Sequence, residues 1–248
     1  MKEKINSKID EYIAKNNIEF IDFGASKGGS INLAKKYFCK FSGKGVGIDI
    51  DPEKIDIMKK AGYDAFCEDV VSLSLKEKVR FIVMSHFLEH IDGFENSKKC
   101  LESAANNSTE FFYIQQPYFD ADGYLFSKKL KFFWSHWGGH PNRIGVLDFY
   151  KILEELKLSE KIDRYAIYGY NEIKSSKDGK LLPLSASADQ HHYDINVHPK
   201  KECSIEFGNE IDIFQELRVL ATTDPKIDYG ELEKSFKWNK KIYDSGSR

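Results

Sequence analysis

Residues 20–34 read FIDFGASKGGSINLA, and this stretch decides the fold of the chain. An apolar run, 18–23, carries an acid, Asp22, close to its end. Gly24 and Gly28 then bracket a tight turn, and apolar residues recur at helical spacing at Ile31, Ala34, Tyr37 and Phe38. That order predicts a strand, a glycine turn and a helix that starts at once. Glycine lets the backbone pass close to a ligand and take positive φ. The helix start offers free N–H donors to a carboxylate or phosphate. The spacing D-x-G-x-x-x-G differs from the dinucleotide fingerprint G-x-G-x-x-G, which disfavours an NAD-type site.

Outward from this turn, strand and helix patterns alternate about five times through residue 117. GKGVGIDI (43–50) reads as the second strand, and Asp51-Pro52 caps the next helix with Pro at its first position. A short strand lies near 63–66, VRFIVMS (79–85) is a buried-type strand, 94–105 reads as a helix, and EFFYIQ (110–115) is the fifth strand. Such alternation predicts an α/β fold with a mostly parallel sheet and helices on both faces. A helix over 146–156, a strand over 162–170, a last strand over 211–221 and a terminal helix within 227–243 complete the reading. Segments 118–145 and 171–209 lack a clean period and read as lid-like insertions on the substrate side of a single domain, residues 1–248.

The glycine turn resembles motif I of class I S-adenosylmethionine-dependent methyltransferases, with Ser26 where the usual D/E-x-G-x-G-x-G loop has its middle glycine. The resemblance implies a Rossmann-like, seven-stranded sheet with an antiparallel last strand. Asp49 ends the second strand as a carboxylate suited to ribose hydroxyls. Asp69, in AFCEDV, matches the family's adenine contact. FIVMSHFLEHI (81–91) resembles the LEH segment of many small-molecule members. The implied cofactor contacts are Asp22, Gly24, Ala25, Ser26, Gly28, Asp49, Ile50, Asp69, Val70, Ser85 and His86. S-adenosyl-L-methionine is the implied cofactor, with S-adenosyl-L-homocysteine as product. His90 reads as a packing histidine.

Methyl transfer to oxygen or nitrogen needs alignment and a base. KFFWSHWGGHPNRIGVLDFYKIL (131–153) supplies His140, which best matches the family's acceptor-side histidine, followed by His136; His86 is the third candidate. Trp134, Trp137, Gln116 and Tyr118 are the expected acceptor-pocket residues. The LEH segment and the WGGHPNRIG stretch resemble methyltransferases of bacterial surface-polysaccharide clusters. That resemblance implies a sugar, nucleotide-sugar or capsule/lipopolysaccharide precursor as acceptor. A quinone, lipid or amino compound, and a non-catalytic cofactor-binding module, stay open as alternatives.

A net charge of −2, without a Lys/Arg cluster, argues against a nucleic-acid partner. QQPY (115–118) does not change this, because it follows the fifth strand and has Gln where a D/N-P-P-Y motif has its first Pro. No apolar stretch reaches 18 residues, and MKEKINSKID has no apolar signal core, so no membrane span and a cytoplasmic location are expected. Cys39, Cys67, Cys100 and Cys203 show no C-x-x-C spacing, as in a chain with reduced thiols. His191, His192, Asp194 and His198 form a donor-rich stretch without firm ligand spacing, and no metal is assigned. The expected partner is a small molecule, with a homodimer as the assembly should one form.

Overall fold

A computed structural model of the chain describes residues 7–41, 43–135, 137–187, 191–208 and 211–246. Its first half runs α1 (Ser7–Asn16), β1 (Ile18–Phe23), α2 (Gly29–Tyr37), β2 (Lys44–Asp49), α3 (Pro52–Lys60), β3 (Ala65–Cys67), β4 (Val79–Ser85), α4 (Phe94–Asn107) and β5 (Ser108–Pro117). The second half adds α5 (Asp122–Ser127), β6 (Leu130–Phe132), α6 (Val146–Leu158), β7 (Arg164–Glu172), β8 (Leu181–Pro183), β9 (Phe214–Thr222), α7 (Tyr229–Glu233) and β10 (Lys240–Asp244). The main sheet has the order β10-β7-β9-β5-β4-β1-β2-β3. Strands β1 to β5 pair in parallel, and β9 runs antiparallel between β5 and β7.

Period-2 alternation sends side chains of each strand to two separate cores. On β4, Ile82 and Met84 join the core built with Ile9 and Ile13 of α1, Leu101 of α4 and Phe149 of α6. Phe81 and Val83 join the opposite core with Ile31 of α2, Ile55 of α3 and Leu232 of α7. Phe20, Phe81 and Phe111 stack across β1, β4 and β5, with centroids 4.9 and 4.7 Å apart. Asp51 caps α3 as its spacing predicts, its carboxylate accepting the Glu53 N–H at 2.9 Å.

Two expectations about architecture are corrected. The sheet has eight strands, not seven. Where 227–243 predicts a terminal helix, α7 spans only five residues and β10 pairs antiparallel with β7. The charges of the KKIYD stretch mask its alternation. Tyr243 stacks on Tyr165 at 5.5 Å, and Arg164 donates two hydrogen bonds to Asp244 at 3.1 and 2.8 Å, so the tail covers the sheet edge. The two insertions are also not independent loops. β6 from the first pairs with β8 from the second, Leu130 opposite Pro183 and Phe132 opposite Leu181. No helix among the described residues is long and apolar enough to cross a membrane.

Candidate active site

The C-terminal ends of β1, β2 and β4 bring the glycine turn, Asp49 and His86 to one edge of the sheet. Gly24 and Gly28 take φ of 69° and 87°, as the turn requires. Ser26 also adopts a left-handed φ, 50°, where the resemblance has glycine. Its N–H donates to the Asp49 carboxylate at 3.1 Å, and the Asp51 N–H donates to the other oxygen at 3.0 Å. Asp49 therefore ties the turn after β1 to the turn after β2. Each carboxylate oxygen retains a lone pair for a further donor. Gly28 provides no side-chain cap, so the first N–H groups of α2 have no side-chain acceptor there.

The other expected cofactor residues divide by exposure. Ala25 is buried, and its N–H donates to the Ile48 carbonyl at 2.9 Å, so its side chain serves the core. Ile50 is 71% exposed at the end of β2, an apolar flank beside the turn. Asp69 caps a short 3-10 turn, accepting the Val71 N–H at 3.0 Å, while Val70 is buried. Ser85 closes β4 and pairs with Gln115.

Asp22 is fully buried; Ser30 donates its hydroxyl to one carboxylate oxygen, and the other oxygen has no hydrogen-bond partner among the described residues. Burial, opposed by the Ser30 hydrogen bond and helped by the Asp49 charge, pushes its carboxyl up to about 7. Above an ordinary carboxyl value of 3.8 the unfolded chain ionises here while the folded chain keeps its proton. Stability from this group is thus full below about pH 4 and is lost as pH rises toward 7, by up to roughly 4 kcal/mol. The expected outcome is that Asp22→Asn gains stability over the parent as pH rises from 5 to 8, read from urea midpoints. A difference independent of pH would remove Asp22 as the titrating group.

His86 follows β4 with a left-handed φ of 51° and donates its N–H to the Gln115 carbonyl at 2.8 Å. For a non-glycine residue this conformation costs energy and recurs at functional positions. Its side chain enters a cavity of about 440 Å³ that is also lined by Glu89, His90, Trp134, Trp137, His140, His191 and Glu216, with Pro117, Phe133 and Gln215. Burial lowers the His86 pKa, but the hydrogen bond and charge of Glu89 outweigh it and raise the imidazole above its ordinary value. His140 is held below its ordinary value by burial.

Two segments far apart in sequence are clamped to make this cavity. The Asn142 N–H donates to the Glu89 carbonyl at 3.3 Å, and its side-chain amide donates to the Leu88 carbonyl at 3.0 Å and Ser97 at 2.6 Å. His90 Nδ1 lies 2.7 Å from the Gly139 carbonyl, and His140 Nδ1 lies 3.3 Å from the Trp134 carbonyl. Glu89 is buried. One oxygen lies 3.2 Å from His86 Nδ1, and the other has no hydrogen-bond partner among the described residues. Glu89, His90 and His140 each place a ligand-capable atom within 4.8 Å of the other two.

Of the expected substrate and base residues, His86, His140, Trp134 and Trp137 line the cavity. His136 lies outside the described residues. Gln116 and Tyr118 do not line it. The Gln116 amide donates to the Ile144 carbonyl at 2.6 Å, and Tyr118 packs edge-on against Phe214 at 5.5 Å. His90, read as a packing residue, lines the cavity. The 191–198 stretch does not gather as one site. His191 stacks on Phe133 at 4.1 Å in the cavity wall, whereas His198 stacks on Tyr193 at 5.7 Å. Glu216, Phe133 and Gln215 were not expected; no local pattern marks them, because the pairing of β9 with β5 brings two of them there.

No protein-family model and no curated protein matches the chain. Solved structures do. A plantazolicin methyltransferase complexed with a desmethyl analogue and S-adenosylhomocysteine is 16% identical, with a TM-score of 0.48, over 86% of this chain and 80% of that one. An S-adenosylmethionine-dependent methyltransferase from Clostridium acetobutylicum is 13% identical, with a TM-score of 0.46, over 90% and 92%. A methyltransferase from Thermotoga maritima, described as a possible histamine N-methyltransferase, is 11% identical, with a TM-score of 0.48, over 88% and 89%. The similarity is one of chain path.

Proposed function

We propose that the protein is an S-adenosylmethionine-dependent methyltransferase that acts on an oxygen or nitrogen of a small polar acceptor. Asp49 is the observation that carries this reading. Its buried carboxylate joins the turns after β1 and β2 and keeps lone pairs for ribose hydroxyls. The uncapped start of α2 also suits an amino-acid carboxylate. Asp22, fully buried, is assigned to holding the turn through Ser30. Asp69 is assigned to the adenine amino group and Ile50 to the ring flank.

S-adenosylmethionine supplies an electrophilic methyl on a sulfonium, and its displacement leaves S-adenosylhomocysteine. The protein's part is to hold an acceptor in line with that methyl. His86 connects the two halves, at the end of β4 and in the cavity wall. His86 and His140 are the cavity histidines assigned to receive the acceptor proton. Phe133, Trp134 and Trp137 offer flat apolar faces, and no Lys or Arg appears among the described lining residues. That lining favours a neutral acceptor with a stackable face, such as a sugar, over a phosphate-bearing nucleotide-sugar. The Glu89 and Glu216 carboxylates support amine-bearing acceptors as the second reading.

Asp49→Ala is expected to weaken S-adenosylmethionine binding by about 1–3 kcal/mol without unfolding the protein. Calorimetric titration with a circular dichroism control checks it. Unchanged affinity would remove Asp49 from the cofactor site, and stabilisation by NAD but not by S-adenosylmethionine would overturn the proposal. S-adenosylhomocysteine release with neutral glycosides, nucleotide-sugars and amines then ranks the acceptor classes.

A further inference from the structure

We propose that Glu89, His90 and His140 form a binding site for one divalent transition-metal ion in the wall of the aromatic cavity. The sequence reading assigned no metal: Glu89 and His90 lie some fifty positions before His140, and the Asn142 hydrogen bonds and the His90–Gly139 contact bring the two segments together. Their donor atoms lie within 4.8 Å of one another. An ion bound at about 2.0–2.2 Å needs its ligands closer together than that, so binding requires the three side chains to draw in around it.

The protonation pattern fits a metal. A carbonyl oxygen only accepts, so the contacts of His90 Nδ1 to Gly139 and of His140 Nδ1 to Trp134 place a proton on each Nδ1. A ring that carries its proton on Nδ1 alone keeps its lone pair on Nε2. Backbone carbonyls holding the outer N–H in this way are the usual support of metal-bound imidazoles.

Glu89 supplies the second, independent observation. Its side chain is 1% exposed, one oxygen is engaged by His86, and the other is buried without a hydrogen-bond partner among the described residues. A buried, half-satisfied carboxylate is costly unless a cation or donor meets it. The described cavity lining offers no Lys or Arg for that purpose. Two imidazoles and one carboxylate match ions that accept mixed nitrogen and oxygen donors, such as Zn²⁺, Mn²⁺, Fe²⁺ or Co²⁺, rather than Mg²⁺ or Ca²⁺. Three protein ligands leave coordination positions open toward the cavity. On the reading under Proposed function, those positions take the acceptor's hydroxyl oxygen and lower its pKa, and the proton then passes to His86, because the ion holds the His140 lone pair. Metal binding itself does not depend on that reading.

The test is calorimetric titration of chelator-treated full-length protein with Zn²⁺, repeated with Co²⁺ to read the visible spectrum of the bound ion. The expected result is one Zn²⁺ per chain, a Co²⁺ spectrum with imidazole ligation, and at least about 100-fold weaker binding in Glu89→Gln, His90→Ala and His140→Ala. His192→Ala, at an exposed position, is expected to bind as the parent does. Absence of stoichiometric binding overturns the proposal, as does binding that survives all three substitutions. Titration of the same proteins with S-adenosylmethionine separates the two readings. A chain that binds Zn²⁺ through these residues but not S-adenosylmethionine keeps the metal site and loses the methyltransferase. Cofactor binding without Zn²⁺ binding gives the reverse.

Discussion

Gly24→Ala is expected to lower affinity for S-adenosylmethionine by at least about 100-fold, roughly 2.7 kcal/mol, while Gly29→Ala leaves it unchanged. Gly24 has a φ of 69°, so any side chain there carries left-handed strain of roughly 1–2 kcal/mol. A Cβ at this position would also lie 2.0 Å from one ring carbon of Phe87 and 2.5 Å from another. The turn and the ring cannot both stay in place. If the turn moves, the Ser26 N–H leaves Asp49. If Phe87 moves, it pulls on His86 and Glu89, its near neighbours in the cavity wall. Either way the cofactor edge and the cavity change together. Gly29 opens α2, and an added Cβ there meets nothing within 4 Å. Alanine at Gly29 adds only helix propensity. The paired titrations, with melting temperatures as the control for folding, check the contrast. Equal affinities in the two variants would mean that the turn does not contact the ligand.

The same contact explains which parts of the site were legible in the sequence. Asp22, Gly24, Gly28, Asp49 and the Asp51 cap are written locally, because each stands at a strand end or helix start whose period is visible within ten residues. Their placement follows from chain direction in a parallel sheet, where every strand delivers its C-terminal end to the same edge. His90, read as a packing histidine, lines the cavity for the opposite reason: a distant hydrogen-bonded clamp places Gly139 and His140 beside it. Gln116 and Tyr118 stood at a plausible strand end, yet the 144 loop and Phe214 engage them.

The insertions were opaque for a related reason. β6 is three residues long, and its partner β8 lies about fifty positions later, so neither shows a period of its own. Within β6, Lys131 is 4% exposed and donates to the Ala186 carbonyl, an arrangement that hydropathy reads as a surface residue. Stacking of Trp134 on Phe132 at 4.3 Å then carries this small sheet into the cavity wall. The tail was misread because β10 becomes a strand through its pairing with β7, a tertiary choice that overrides its weak local pattern.

Arg218→Met is expected to destabilise the protein by about 2–4 kcal/mol. Arg218 sits on β9, 1% exposed, with its guanidinium 3.5 Å from the Tyr170 ring centroid. It donates to the Glu216 carboxylate through Nε at 3.1 Å and Nη2 at 2.7 Å, and to the Lys237 carbonyl through Nη1. Glu216 lies two residues away on the same face of the strand. Removing one partner of a buried pair typically costs 3–5 kcal/mol because the other charge is stranded. Here Glu216 lines the cavity and its side chain is 15% exposed, so water recovers part of that cost and the expected value is shifted down by about 1 kcal/mol. Glu216→Gln should cost less, since the amide oxygen still accepts from the guanidinium. The double variant Arg218→Met/Glu216→Gln should then be more stable than the sum of the two losses, with a coupling of about 1–2 kcal/mol. Urea unfolding of the four proteins measures that coupling. Strict additivity would show that the buried guanidinium is held by Tyr170 and the Lys237 carbonyl, and that the Glu216 charge facing His86 is set without it.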